Sequence, residues 1–136
     1  MNTTFQPEVL IQNLGPDVKS YVYQILNEFS AFITPETVAQ VVAKDPLELW
    51  KRRSDYGEEF PKTREELART FRIEISLSES GGTLSAEGIH LDVYEALKQA
   101  KEKLLKMLDQ IQDDVVSNQD RYQQIQQALS SGSTIH

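Results

Sequence analysis

The chain has 136 residues, of which 39% are hydrophobic and 26% are charged, a balance typical of a folded domain rather than of a disordered chain. It contains no cysteine, so disulfide bonds, thiolate nucleophiles and cysteine metal sites are excluded. A chain of this length buries roughly two-thirds of its unfolded surface, which is enough for one core without covalent staples.

The formal net charge is −7, and net positive charge is concentrated in two segments. Residues 51–72 carry a net charge of +2, and residues 98–106 carry a net charge of +3. Because long-range steering follows the summed field, we expect weak attraction to nucleic acid at a distance. Local phosphate contacts stay available at the two positive segments.

The sequence has neither the pattern of a membrane-spanning segment nor that of a signal peptide. No stretch approaches the ~18 apolar residues that span a bilayer. The first residues lack the basic region and apolar run of a signal peptide. The sequence therefore predicts a soluble, cytoplasmic protein.

The first part of the chain predicts a strand, a helix and a second strand. Residues 9–11 form a short apolar run. Pro16 suits the first position of a helix, and apolar residues recur after it at three- and four-residue steps, stopping before Pro35. These residues are Val18, Val22, Ile25, Leu26, Phe29 and Ile33. Residues 37–44 are rich in β-branched side chains and predict the second strand.

The remainder predicts an insertion, a hairpin and a long helix. Residues 46–68 contain two prolines and a glycine, with short helices expected around residues 47–53 and 63–68. Residues 71–78 alternate apolar and polar side chains, and a turn at Gly81-Gly82 returns the chain as a partner strand. Asp92 is a good N-cap for the next helix. The apolar stripe of that helix is Leu97, Ala100, Leu104, Leu108 and Ile111.

Together these elements predict an α+β fold in the order β-α-β-β-β-α, with a four-stranded, mostly antiparallel sheet and two helices packed on one face. The other face of the sheet is expected to be open. We assign a single domain to residues 1–112, with the insertion at residues 46–68, and a C-terminal tail to residues 113–136. Glutamine is frequent in that tail, and a helical and a partly disordered tail are both compatible with its composition.

Three passages resemble the N-terminal domain of the ribosome hibernation promoting factors, a family that includes protein Y, the ribosome-associated inhibitor. Residues 16–22, Pro-Asp-Val-Lys-Ser-Tyr-Val, resemble the start of the family's first helix. The hairpin of residues 71–88 resembles the family's hairpin. Residues 92–97, Asp-Val-Tyr-Glu-Ala-Leu, followed by Lys103-Leu104, resemble the pattern that opens its second helix. The insertion has no counterpart in that pattern.

The resemblance implies a factor that stops translation during starvation by occupying the small ribosomal subunit near the decoding centre. In the family the contacts are mostly lysines and arginines on the two helices, set against rRNA phosphates. The matching positions here are one lysine on the first helix and four on the second: Lys19, Lys98, Lys101, Lys103 and Lys106.

The same lysines also have a structural interpretation. Lys98 and Lys106 each lie four residues from Glu102, the spacing of ion pairs on a solvated helix face. Several positions where the family tends to be basic are neutral or acidic here, namely Gln24, Asn27, Glu28, Asp109, Asp113 and Asp114. These residues favour an alternative function, a non-catalytic protein-interaction module that keeps the fold and has lost ribosome binding.

The insertion carries the only tryptophan, next to three consecutive cations and close to a tyrosine: Trp50, Lys51, Arg52, Arg53 and Tyr56. Aromatic and arginine side chains stack on unpaired RNA bases while cations hold phosphates. The same residue types anchor protein interfaces. In a third interpretation, Trp50 covers the core beneath a loop and the cations are solvated.

The sequence does not indicate catalysis. His90 and His136 lack partners at the spacing of a metal site. No nucleophile elbow, phosphate loop or dinucleotide fingerprint is present. We therefore expect a protein that is not an enzyme, that needs no metal or cofactor, and that binds neither DNA nor a membrane.

Overall fold

The computed structural model describes residues 8–10 and 15–113. The chain divides into two compact units, Met1–Leu104 and Leu105–His136. In the second unit, residues 105–113 are helical. The prediction of a helical or partly disordered tail lies outside the described residues from residue 114 onward. The domain boundary at residue 112 stays a prediction.

Helix α1, Pro16–Asn27, begins where the sequence predicts and ends earlier. Pro16 suits the first turn, where its missing N–H would have no partner in any case. At the other end the N–H groups of residues 28–30 bond to carbonyls three residues back, so the helix tightens into a turn. Phe29 lies in that turn and is fully buried. The apolar residues at three- and four-residue steps therefore extend beyond the last residue of α1, into the turn that contains Phe29.

The sheet consists of a short parallel pair and an antiparallel meander. Strand β1, Glu8–Leu10, pairs in parallel with β2, Val38–Lys44. Strand β3, Phe71–Glu79, lies between β2 and β4, Gly82–His90, and is antiparallel to both. We predicted a four-stranded sheet. The antiparallel part consists of three strands, and β1 contributes only a parallel pairing of three residues with β2.

The hairpin predicted between β3 and β4 is confirmed. Gly82 has a φ of 142°, a left-handed value that glycine adopts without steric strain. The pairing that follows places Leu77 opposite Leu84 and Ile75 opposite Ala86. The α+β class is confirmed with it.

The insertion is folded, and the two short helices expected there are present. A 3₁₀ helix, Pro46–Asp55, is followed by α2, Arg64–Ala68. Asp45 caps the 3₁₀ helix by accepting a hydrogen bond from the backbone two residues on. Leu49 and Leu67 are fully buried, one from each helix. The insertion therefore contributes to the core instead of forming a solvated loop.

Helix α3 begins at residue 93 and is described to residue 113. Its start is capped by Asp92, whose carboxylate accepts a hydrogen bond from the N–H of Tyr94. The backbone of α3 passes very close to β4, because a Cβ added at Gly88 would lie 1.9 Å from the carbonyl oxygen of Ala96. One face of the sheet and the apolar stripes of α1 and α3 form the core, which includes Val22, Ile25, Leu26, Ala39, Val41, Ile73, Ile75, Leu97 and Leu104.

The opposite face of the sheet is polar, but it is not open throughout as predicted. Arg72 and Ser76 belong to this face by strand alternation, yet they are only 6% and 8% exposed. The backbone carbonyl of Asp45, which precedes the insertion, and the carboxylate of Glu48, within the insertion, accept hydrogen bonds from Arg72. The insertion therefore covers one end of this face.

Candidate functional site

Helices α1 and α3 lie side by side and run in the same direction. The rings of Tyr21 and Tyr94 meet edge to face, with centroids 5.2 Å apart. Glu28 lies seven residues after Tyr21, and Lys101 lies seven residues after Tyr94. A Glu28 carboxylate oxygen lies 3.2 Å from Lys101 Nζ. We call the surface between these two contacts the helix seam, defined by Tyr21, Gln24, Glu28, Tyr94, Lys98 and Lys101.

Within residues 8–10 and 15–113, three of the five lysines predicted to contact phosphate have no side-chain partner. Lys19 and Lys98 are exposed, and within the described part of the chain neither forms an ion pair or a side-chain hydrogen bond. Lys106 belongs to the second unit and is also exposed. In the first unit, Lys98 is therefore the free cation of the helix seam.

The other two lysines are engaged within the protein. Lys101 is ion-paired with Glu28, and its side chain is only 15% exposed. Lys103 Nζ donates a hydrogen bond of 2.9 Å to the backbone carbonyl of Glu87 in β4. One lysine thus points toward α1 and the other toward β4, so they do not share a surface.

The helix layer has little net positive charge. Residues 15–28 and 92–104 contain four lysines and five carboxylates, counted from the sequence. The lysines are Lys19, Lys98, Lys101 and Lys103, and the carboxylates are Asp17, Glu28, Asp92, Glu95 and Glu102. A polyanion that approaches this layer meets a field that is close to neutral.

Side chains of α3 cover part of the free edge of β4. The N–H of Ile89 donates a 3.0 Å hydrogen bond to Gln99 Oε1, and Lys103 satisfies the carbonyl of Glu87. An unpaired strand edge is a template for pairing with another chain, and side chains that occupy its backbone groups block such pairing. Lys103 therefore has a structural role in addition to the role predicted for it.

A partly buried ion-pair cluster around Arg72, on the polar face of the sheet, was missed in the sequence. Arg72 makes two parallel hydrogen bonds to the carboxylate of Glu87, at 2.9 and 3.0 Å, and a third to Glu48. Lys44 lies 3.1 Å from Glu74 and 3.3 Å from Glu87. Counting strand register from the Gly81-Gly82 turn places Arg72 diagonally across from Glu87, which is the signal that could have found the pair.

The charges in this cluster perturb one another. Burial alone would raise the pKa of Glu87, but the hydrogen bonds and positive charges of Arg72 and Lys44 outweigh it and hold that pKa below its ordinary value of 4.5. The hydrogen bond to Glu74 likewise raises the pKa of Lys44. The carboxylate of Glu87 is thus held in its charged form.

The cationic part of the insertion lies at the surface. We call Lys51, Arg52 and Arg53 the basic segment; all three are exposed. The guanidinium of Arg53 lies over the indole of Trp50, 4.4 Å from the ring centroid, and donates a 2.8 Å hydrogen bond to the Trp50 carbonyl. Tyr56, further along, stacks on Phe60 with centroids 4.7 Å apart.

A shallow groove separates the insertion from β4 and α3. Its volume is about 790 Å³, and its lining includes Tyr56, Phe60 and Pro61 on one side and Ile89, Gln99 and Lys103 on the other. Within residues 8–10 and 15–113, no group of three or more histidine, aspartate or glutamate side chains is placed to hold a metal ion. Among those same residues, no helix is long and apolar enough to cross a membrane.

Comparisons with known proteins give one kind of match. No protein-family description matches the chain, and no curated protein matches its sequence. Solved structures do match. A ribosomal subunit interface protein from Coxiella burnetii has a TM-score of 0.51 and 12% sequence identity, with 79% of this chain and 97% of that one covered. The N-terminal domain of Thermus thermophilus Protein Y has a TM-score of 0.53 and 18% identity, with 79% and 98% covered.

The resemblance drawn from the three sequence passages is thereby confirmed for the architecture. Nearly the whole of each matched domain is covered, while this chain carries additional residues. This chain has the fold of the ribosomal subunit interface protein and of the Protein Y N-terminal domain.

Proposed function

We propose that this protein is a ribosome-associated factor without catalytic activity, which binds the small ribosomal subunit and inhibits translation by occupying it. The observation that supports the proposal is the shared fold, which covers 97% and 98% of the two matched domains. Fold similarity alone does not transfer function, so the proposal has to be argued from the residues at the surface. It places the protein in the cytoplasm and in the response to starvation.

In this proposal inhibition needs no chemistry. A rigid body of sheet and helices fills a space that mRNA or tRNA would otherwise occupy, and lysines hold it against rRNA phosphates. Lys19, Lys98 and Lys106 can make such contacts directly because they are exposed. Lys101 would have to leave Glu28, and Lys103 would have to leave the carbonyl of Glu87.

This difference between the lysines gives a matched pair of variants. We expect Lys98→Gln to lower the affinity for purified small subunits several-fold and to reduce the salt slope of log Kobs by about 1, the value for one lost phosphate contact. We expect Lys101→Gln to change the affinity less than about twofold, because its charge is already paired. Both are measured by co-sedimentation over a salt series. Equal losses in the two variants would contradict the assignment of Lys98 as the seam contact.

One observation favours the alternative function, a protein-interaction module that has kept the fold. The helix layer holds more carboxylates than lysines, whereas a polyanion-binding face needs an excess of positive charge. Trp50 and Tyr56 on the insertion would then be the anchors for a protein partner. A wild-type chain that does not pellet with small subunits at ~50 mM salt, where phosphate contacts are strong, would favour this alternative.

A further inference from the structure

We infer that the principal contact of this protein with RNA is the basic segment of the insertion, and that it binds the phosphate backbone of folded RNA rather than unpaired bases. The inference rests on the proposed function and changes where its electrostatic contact is made. The helix lysines become secondary contacts.

The basic segment carries two adjacent cations whose charge is unpaired within the described residues. Lys51 and Arg52 are adjacent and exposed, and neither forms an ion pair or a side-chain hydrogen bond among the residues that the structure describes. In the helix layer of the first unit, Lys101 and Lys103 are already engaged, and the exposed Lys19 and Lys98 lie on different helices. Binding phosphate at the basic segment therefore breaks no existing contact.

The backbone that carries the basic segment is anchored to the rest of the domain. The 3₁₀ helix that carries it is capped by Asp45 at its start and anchored by Leu49, which is fully buried. Glu48 adds a 2.9 Å ion pair to the buried Arg72 of β3. Since the backbone of the basic segment is already ordered, binding loses less conformational entropy than a mobile loop would lose.

The three cations of the basic segment differ in backbone geometry and in their contacts. Arg52 departs from helical angles, with φ −111° and ψ 22°, so the 3₁₀ helix kinks at this residue. Arg53, just after the kink, is held on Trp50 by the cation–π contact and by its hydrogen bond to the Trp50 carbonyl. We assign Lys51 and Arg52 as the phosphate ligands, because Arg53 is already engaged with Trp50.

The aromatic rings of the insertion favour phosphates over bases as the ligand. A stacking platform for an unpaired base needs an open aromatic face. One face of Trp50 is covered by the guanidinium of Arg53, and one face of Tyr56 is stacked on Phe60. Both rings are thus already engaged within the insertion, whereas the two cations are not. The ligand chemistry that fits is a row of phosphates, as in an RNA duplex.

The test uses the full chain and two probes, purified small ribosomal subunits and a synthetic RNA duplex of about 16 base pairs, a length that presents two successive minor grooves. We expect Lys51→Gln/Arg52→Gln to weaken binding of both probes about tenfold at ~50 mM salt and to reduce the salt slope by about 2. The charge-conserving variant Lys51→Arg/Arg52→Lys should keep the wild-type slope. Trp50→Phe should keep the affinity within about twofold, since no base is stacked there.

Each contrary outcome has a distinct meaning. If the wild-type chain binds subunits and the double glutamine variant binds them equally well, the inference is wrong while the proposed function stands. A loss in Trp50→Phe that exceeds the loss in the double variant would replace phosphate contact by base stacking. A polyglutamate control that binds as tightly as the duplex would favour an acidic protein partner and overturn the RNA assignment. Absence of binding to subunits and duplex alike would overturn both proposals.

Discussion

Replacing Gly88 with alanine is expected to destabilise the fold by at least about 3 kcal/mol, a large part of the 5–15 kcal/mol that typically holds a domain together. The added Cβ would lie 1.9 Å from the carbonyl oxygen of Ala96 and 2.9 Å from the backbone nitrogen of Ala100. Both atoms belong to the backbone of α3, so no side chain can rotate away to make room. The helix would have to move off β4 and lose core contacts.

The measurement is urea denaturation followed by circular dichroism, with Gly57→Ala as the matched control. A Cβ at Gly57 meets nothing within 4 Å, so this variant makes the same chemical change in open space. We expect the control to stay within about 0.5 kcal/mol of the wild type. A Gly88→Ala variant that unfolds at the same urea concentration as Gly57→Ala would show that α3 does not pack on β4 as described.

The second large effect is expected at Arg72, which is 6% exposed. Arg72→Met should cost about 3 kcal/mol, because it leaves the partly buried carboxylate of Glu87 without its two-bond partner. The bridge to Glu48 should contribute little, since that side chain is 67% exposed. Arg64→Met, at an exposed position on α2, is the control and should change the free energy of unfolding by less than about 0.5 kcal/mol.

The double variant Arg72→Met/Glu87→Gln separates the ion pair from the packing of the arginine side chain. Because the unpaired charge is removed as well, the double variant should recover part of the stability that Arg72→Met loses. If it is no more stable than the single variant, the destabilisation comes from packing and not from a stranded carboxylate.

Lowering the pH should weaken the ion pair between Arg72 and Glu87. The folded-state pKa of Glu87 lies below its ordinary value, so the stability it contributes is present above that ordinary value of 4.5 and is lost as the pH falls through the lower, folded-state pKa. The wild type should therefore lose stability below pH 4.5 more steeply than Arg72→Met, in which the contribution of Arg72 to this stabilisation is absent.

Local sequence pattern was sufficient for much of the fold. The alternation along β3 identifies Ile73, Ile75 and Leu77 as core residues, although Phe71 at the start of the strand is exposed, and the glycine pair places the hairpin. The apolar spacing after Pro16 indicates α1, although it does not show that the helix tightens into a turn after Asn27. Each of these patterns depends only on residues that lie close together in the sequence.

The candidate site depends on contacts between distant residues, which is why the sequence was less informative there. Lys101 pairs with Glu28, 73 positions away, so its unavailability could not be inferred from the neighbouring residues of the helix. Arg72 occupies a position that alternation assigns to solvent, yet it is buried and bonds to Asp45 and Glu48, more than 20 positions away. The charge of the basic segment was visible in the sequence, but the engagement of its neighbouring aromatic rings was not.

The most direct test of the account is co-sedimentation of the full chain with purified small ribosomal subunits at ~50 mM and ~200 mM salt, a range over which phosphate contacts weaken steeply. We predict stoichiometric binding at the lower concentration and a marked loss at the higher one. Absence of binding at ~50 mM salt would contradict the proposed function and leave only the shared fold.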